Sequence, residues 1–201
     1  MAASRTITST ASGATRAFTL TELAIVLGII GLILGAIWVA ASKVYQSNRV
    51  DTAVKEAAAI SSSYRSLYNT HGVDTGDGTD ITCTGVNSGF FPTDMLLPNT
   101  TCAGGNPATY PQHPWNSYVL ITSYQTTWQG FAVAFYNLPQ TACNSLAQQL
   151  FSAPDVEYND INGSTRSLPP VSTQVPFVSS EIAALCAANN SNYIRVIYKG
   201  R

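Results

Sequence analysis

The cysteines are the residues whose chemistry is most directly indicated by this sequence. Four are present, all after a long apolar segment near the N-terminus: Cys83, Cys102, Cys143 and Cys186. None forms a C-x-x-C pair, and the two histidines lie far from any cysteine cluster, so the spacing predicts no metal site. An even number of cysteines beyond a membrane signal predicts two disulfides in an oxidising compartment. Four cysteines allow three connectivities, and spacing alone does not choose among them.

The other reactive side chains do not form a recognisable catalytic pattern. The sequence contains no nucleophile elbow, P-loop, zinc-protease motif or dinucleotide-binding fingerprint. The acids between Asp74 and Asp80 fall three apart, whereas a calcium loop needs them two apart. We interpret His113 as a loop residue and expect the last group of acids to be solvated: Asp155, Glu157 and Asp160. We therefore expect a protein that is not an enzyme and needs no cofactor.

Glu22 lies directly against the start of a long apolar segment. A charge at the edge of a membrane segment is costly unless a partner compensates it. Thr19-Leu20-Thr21-Glu22 fits the S/T-x-x-E capping box, in which the glutamate satisfies a free backbone amide at the start of a helix. The capping role is compatible with a second, functional role for the same carboxylate.

The apolar segment is long enough to cross a membrane. Residues 23–41 are nineteen consecutive uncharged residues, and as a helix they extend about 28 Å. The preceding residues carry Arg5 and Arg16 and no acid, which predicts a cytoplasmic N-terminus and an outward-facing domain. Apolar residues then recur every three or four positions, which predicts one helix from about residue 20 to residue 69. A signal peptide cleaved before Ser42 and an uncleaved plain anchor are the alternatives.

Three glycines interrupt the apolar segment: Gly28, Gly31 and Gly35. Gly31 and Gly35 form a G-x-x-x-G pair, which favours close packing between helices in membranes. Each glycine also weakens the helix by about 1 kcal/mol relative to alanine, so local melting is easier here.

The rest of the chain has the pattern of a mixed domain. A loop rich in glycine, aspartate and threonine extends to about residue 90, and residues 90–97 predict a turn or short helix. Alternation of apolar residues predicts strands at 118–124, 128–136, 156–159 and 193–198. Apolar spacing predicts helices at 141–151 and 179–188. The fold class predicted is therefore α+β.

The N-terminal stretch Phe18-Thr19-Leu20-Thr21-Glu22-Leu23, followed by an apolar helix, resembles the processing signature of type IV pilins. The resemblance implies that a prepilin peptidase cuts between Ala17 and Phe18 and methylates the new amino group of Phe18. Glu22 matches the acid that pairs with the N-terminal ammonium of a neighbouring subunit during assembly. The chain departs from the family at Ala17, where the family usually has glycine.

The order of elements after residue 110 resembles the type IVb subclass, with residues 137–144 matching the segment of the first clamp cysteine. The resemblance implies a long helix packed on an antiparallel sheet, with a disulfide-clamped C-terminal region. It implies the pairs Cys83–Cys102 and Cys143–Cys186. It also implies three parts: a leader at 1–17, a helix at 18–70 that spans the membrane at about 23–41, and a periplasmic or extracellular domain at 71–201.

The function implied by the resemblance is that of a structural subunit of a type IV pilus. The expected partners are further copies in a helical filament, the prepilin peptidase, the assembly platform and its ATPase, and the bacterial inner membrane before export to the extracellular pilus. A minor pilin or type II secretion pseudopilin is one alternative, and a membrane-anchored or secreted binding domain is another. Loss of the leader removes Arg5 and Arg16 and changes the net charge from −1 to −3. That charge argues against nucleic-acid binding by the shaft. The resemblance is equally compatible with a filament used for adhesion, motility, conjugation or DNA uptake.

Overall fold

The structure is a computed structural model that describes residues 19–68, 77–124, 130–153, 155–167 and 176–199. The chain divides into two compact units, Met1–Lys43 and Val44–Arg201. The helix α1 begins at Leu20 and ends at Tyr68, which confirms the long N-terminal helix predicted from apolar spacing. The second unit holds the sheet and the remaining elements.

In the described residues after α1 the chain forms seven strands and three α-helices. In chain order they are β1 (Thr79–Asp80), α2 (Thr82–Asn87), β2 (Gln112–His113), β3 (Ser117–Tyr124), β4 (Gly130–Leu138), α3 (Gln140–Leu150), β5 (Val156–Ile161), β6 (Ser164–Ser167), α4 (Ser179–Leu185) and β7 (Asn192–Lys199). All the predicted strands and helices are present, with ends shifted by a few residues. The start of the strand predicted at 128–136 lies outside the described residues. Two further single helical turns lie at Thr93–Met95 and Pro107–Thr109, and the first matches the prediction at 90–97.

Four of these elements were not predicted: β1, α2, β2 and β6. The three strands are two to four residues long, too short for a periodic pattern. Helix α2 has the sequence TCTGVN, which contains no strong helix former. Tertiary contacts hold this helix in place: Cys83 is bonded to Cys102, and Gly85 lies so close to the ring of Phe90 that an added Cβ would come within 2.7 Å of it.

The described strands form one antiparallel sheet in the order β1-β3-β4-β7-β5-β6. Strand β2 pairs with the first residues of β3, while β1 pairs with its last residues. The C-terminal strand β7 lies between β4 and β5, so residues distant in sequence become neighbours. The sheet therefore depends on the last strand of the chain for its continuity.

The second half of α1 packs on this sheet. Its buried apolar positions recur at intervals of three and four, as an amphipathic helix requires: Val50, Ala53, Ala57, Ile60 and Tyr64. They belong to one core with the inward-facing residues of β3, β4 and β7. The Tyr64 ring stacks on Phe131 of β4 with centroids 3.9 Å apart. The predicted fold class, a long helix packed on an antiparallel sheet, is confirmed.

One carboxyl group is buried in this packed half of α1. Glu56 is only 6% exposed, and its Oε2 has no hydrogen-bond partner within the described residues. Burial, and to a lesser extent the nearby charge of Asp94, raises the pKa of Glu56 to about 8. The side chain is therefore protonated in the folded protein at neutral pH.

We expect the free energy of unfolding to fall as the pH rises from about 5 to 8. In this range an unfolded Glu56 is ionised while the folded one keeps its proton, so raising the pH favours unfolding by up to about 1.4 kcal/mol per pH unit. Urea unfolding at several pH values measures the slope. Glu56→Gln should reduce the slope, and Asp94→Asn should move its upper end below pH 8. An unchanged slope in Glu56→Gln would contradict the assignment.

Candidate functional site

The described part of the first unit begins with a capping box. Oε2 of Glu22 accepts hydrogen bonds from the backbone N–H and the hydroxyl of Thr19, both at 2.9 Å. The Thr19 hydroxyl accepts the backbone N–H of Glu22 at 3.3 Å. This is the reciprocal arrangement that the sequence predicted. Within residues 19–43 the capping box gives Glu22 hydrogen bonds but no neighbouring cation.

No basic side chain lies near Glu22 in the described part of this unit. Between residues 19 and 43 the only other ionisable side chain is Lys43. It lies 21 residues further along the same helix, about 30 Å away. A cation that neutralises Glu22 must therefore come from outside residues 19–43.

The helix that follows Glu22 presents apolar side chains on all sides. Within this helix is a stretch long and apolar enough to cross a membrane, with a mean hydropathy of 2.7, and none of it is buried inside the protein. Ile25, Leu32 and Trp38 illustrate this exposure, and Trp38 is 79% exposed. A Cβ added to any of its three glycines would meet no atom within 4 Å. The surface around Gly28, Gly31 and Gly35 is therefore open to another helix.

The second unit contains the two disulfides. They join Cys83 to Cys102 and Cys143 to Cys186, the pairs implied by the resemblance. The first ties α2 to the segment before β2. The second ties α3 to the end of α4, and Gln140 Nε2 donates to the carbonyl of Cys186 at 3.0 Å. The C-terminal region is thereby clamped onto α3.

The family model described as PilS N terminal matches residues 47–198, about three quarters of the chain. The chain belongs to the PilS family of type IV pilins. The crystal structure of a type IV b pilin from Salmonella typhi is similar at 18% identity and a TM-score of 0.48, covering 72% of this chain and 98% of that one. A search of curated protein sequences found no match.

The sites predicted from the sequence of this pilin fall in both units, and one of them lies outside the described residues. Glu22 and the three glycines lie on the uncovered helix, and the four cysteines lie in the second unit. The predicted cleavage site between Ala17 and Phe18 lies outside the described residues. No group of three or more possible metal ligands occurs within the described part of the chain.

The C-terminal clamp of the pilin contains a buried residue that sequence reasoning missed. Asn192 is fully buried, and its Nδ2 lies 3.0 Å from the carbonyl oxygens of Leu138, Ala187 and Asn189. Its Oδ1 accepts the backbone N–H of Ala187 at 2.7 Å. Asn192 therefore holds the loop after α4 against the end of β4. Ala187 and Asn189 are near in sequence, but the contact with Leu138 joins residues 54 positions apart, and no local pattern marks it.

The expectation that Asp155, Glu157 and Asp160 are solvated acids is wrong for two of the three. Asp155 is exposed and pairs with Arg65, but Glu157 and Asp160 are buried. Asp160 Oδ2 lies 2.5 Å from Nη2 of Arg195 on the neighbouring strand, and Oδ1 accepts the N–H of Gly163 at 2.8 Å. The pairing of β5 with β7, which the sequence did not show, places the two charges together.

We expect Asp160→Asn to lower the free energy of unfolding by about 3 kcal/mol. Removing one partner of a buried pair leaves the other charge uncompensated. The Arg195 side chain keeps 29% exposure, which places the cost at the lower end of the usual range. Chemical denaturation of the full chain measures it. The matched control is Asp155→Asn, which breaks the exposed pair with Arg65 and should cost less than about 1 kcal/mol. Equal costs would show that burial does not distinguish the two pairs.

His113 is also not the loop residue expected from its sequence context. It lies in β2 and is only 2% exposed. Its Nε2 contacts the carbonyl of Tyr136 at 2.8 Å, and its Nδ1 accepts the backbone N–H of Trp115 at 3.2 Å. Burial lowers the pKa of His113 to about 4, so the ring is neutral at physiological pH. The imidazole therefore joins the β2–β3 turn to the end of β4.

Proposed function

We propose that this pilin is a structural subunit of a type IV pilus, assembled through its apolar N-terminal helix after removal of residues 1–17. The observation that carries the proposal is the helix itself, whose apolar side chains are exposed on all sides behind a single acid. Burying each large apolar side chain away from water is favourable by about 1.5–3 kcal/mol, so the helix requires an apolar environment. A membrane meets that need before assembly, and other copies of the helix meet it afterwards.

The exchange of lipid for neighbouring helices has little hydrophobic driving force, because lipid tails are as apolar as the side chains. Close packing and specific polar contacts must decide it. The open surface at Gly31 and Gly35 permits close approach of a second helix. The isolated charge of Glu22 supplies the polar contact, by pairing with the ammonium of Phe18 in a neighbouring copy. Such a desolvated pair penalises wrong registers more than it adds net stability.

The proposal also divides the chain into three parts and names the proteins that process and assemble it. Residues 1–17 are the leader, residues 18–70 form the assembly helix with a membrane span at about 23–41, and residues 71–201 form the outward domain. A prepilin peptidase removes the leader and methylates Phe18. An assembly platform with its ATPase extracts the subunit from the bacterial inner membrane into the extracellular pilus.

The first test of the proposal is the N-terminus of the protein isolated from sheared filaments or native membranes. Intact mass and peptide mapping should give a chain that starts at N-methylated Phe18 and contains two disulfides. A start at Ser42 would remove the apolar helix and contradict the proposal, and an intact Met1 would indicate a plain anchor. Ala17→Gly is the matched variant, because it restores the residue usual in the family and should be processed at least as completely.

A further inference from the structure

A pocket opens at one end of the sheet, where three segments distant in sequence meet. Its volume is about 350 Å³, and its lining residues are Trp115, Asn116, Ser117, Asn137, Pro139 and Asn190. We call it the amide pocket. Its volume lies at the lower end of the range for small-molecule sites, roughly 300–1,000 Å³. We propose that the amide pocket binds a neutral saccharide.

The chemistry of the lining suits hydroxyl groups without charge. None of the six lining residues is ionisable, whereas a site for an anion or a cation would carry an opposite charge. A side-chain amide offers both donors and an acceptor, which matches sugar hydroxyls that donate and accept at once. The ring of Trp115 adds an apolar aromatic surface, against which the C–H groups of a sugar can pack.

The polar groups of the pocket are available to a ligand. The side chains of Asn116 and Asn190 are exposed and make no hydrogen bond within the described residues. Asn137 Nδ2 donates to the Ser117 hydroxyl at 2.9 Å, which orients both side chains. Two amides are therefore free, and one amide–hydroxyl pair is already oriented.

The walls of the pocket are held in place by contacts behind them. Asn116 and Asn137 have φ values of 57° and 55°, a left-handed conformation that non-glycine residues adopt only when the surroundings hold it. His113 fixes the turn that carries Trp115, because its Nδ1 and its carbonyl accept the N–H groups of Trp115 and Asn116. Asn192 fixes the loop that carries Asn190 against the end of β4. A preformed site of this kind costs little ordering on binding.

The binding belongs to a single chain and does not depend on filament assembly. The pocket is small and open, so we expect each copy to bind roughly in the millimolar range. If the chain also assembles as proposed above, repeated copies along a filament would raise the avidity for a multivalent glycan. The test is therefore made on the dispersed chain, where failure of filament assembly has no effect on the result.

The experiment uses the full ¹⁵N-labelled chain in phosphocholine micelles, because a detergent with a sugar head group would compete. The probes are N-acetylglucosamine, galactose and lactose, with N-acetylneuraminic acid and a neutral tripeptide as probes of other chemistry. The readouts are the indole N–H of Trp115 and the side-chain amides of Asn116 and Asn190. We expect a saturable shift of these signals with at least one of the neutral sugars.

The matched variants separate the pocket from the general surface. Asn116→Gly combined with Asn190→Ala should weaken sugar binding at least tenfold. Asn99→Gly should leave it unchanged, because Asn99 is also exposed with a φ of 57° but does not line the pocket. Absence of saturation with all three sugars would overturn the proposal. It would also be overturned by full binding in the double variant, or by shifts with the acidic sugar or the tripeptide alone.

Discussion

Filament assembly is expected to be lost when Glu22 is replaced by glutamine, while the folded second unit keeps its stability. Glutamine keeps the capping box, because its side-chain oxygen also accepts at this position. It removes only the charge. The ammonium of a neighbouring Phe18 would then be desolvated without a partner, at a cost of about 3–5 kcal/mol, or more than a hundredfold per subunit contact. Quantification of sheared filaments against total pilin measures the effect.

The control for this prediction is Thr19→Ala. It removes the hydroxyl that bonds Glu22 and weakens the start of the helix by about 1 kcal/mol, but it keeps the carboxylate. We expect filaments from Thr19→Ala and none from Glu22→Gln. If the two variants assemble equally well, the carboxylate acts only as a helix cap. If both fail, assembly needs the helix cap as well as the charge.

Loss of the Cys143–Cys186 disulfide is expected to lower the free energy of unfolding by about 4 kcal/mol. The loop that it closes spans 43 residues, and the chain-entropy relation gives about this value. The double variant Cys143→Ala/Cys186→Ala avoids placing polar hydroxyls at two buried positions. Denaturant unfolding of the full chain under non-reducing conditions measures the change.

The other disulfide provides the matched comparison. Cys83→Ala/Cys102→Ala opens a loop of 19 residues and should cost about 3 kcal/mol on the same relation. Asn192 holds the loop between Ala187 and Asn189 next to the Cys143–Cys186 disulfide. When that disulfide is removed, the amides of this loop should exchange hydrogen before those of the sheet. A larger cost for the Cys83–Cys102 pair would contradict this ranking.

Local patterns were sufficient for the elements that are long and periodic. Helix α1, helix α3 and strand β4 follow from spacing alone, because a helix or strand of nine or more residues repeats its apolar face several times. The capping box at Glu22 is also local, since both partners lie within four residues. The two-residue strands β1 and β2 repeat nothing, and they form only because β3 offers an edge to pair with.

The buried polar groups could not be found in the same way. Asp160 and His113 carry ionisable side chains and each follows a polar residue, Asn159 or Gln112, so both look exposed in sequence. Their burial depends on β7 lying between β4 and β5, and on β2 pairing with β3. Hydrophobic patterns report which face of an element is apolar, but they do not report which strand becomes its neighbour.

Reading the residues in order was enough to predict a membrane-length apolar helix with an acid at its start, an α+β domain and an even number of cysteines. These properties depend on the order of residues along the chain, and the resemblance to type IV pilins rests on them. Which charges are buried and which amides form a pocket depends on contacts between segments that are distant in sequence. The pocket combines residues 115–117, 137–139 and 190. The pairing of β4 with β3 and β7, together with the hydrogen bonds of Asn192, brings those three segments together.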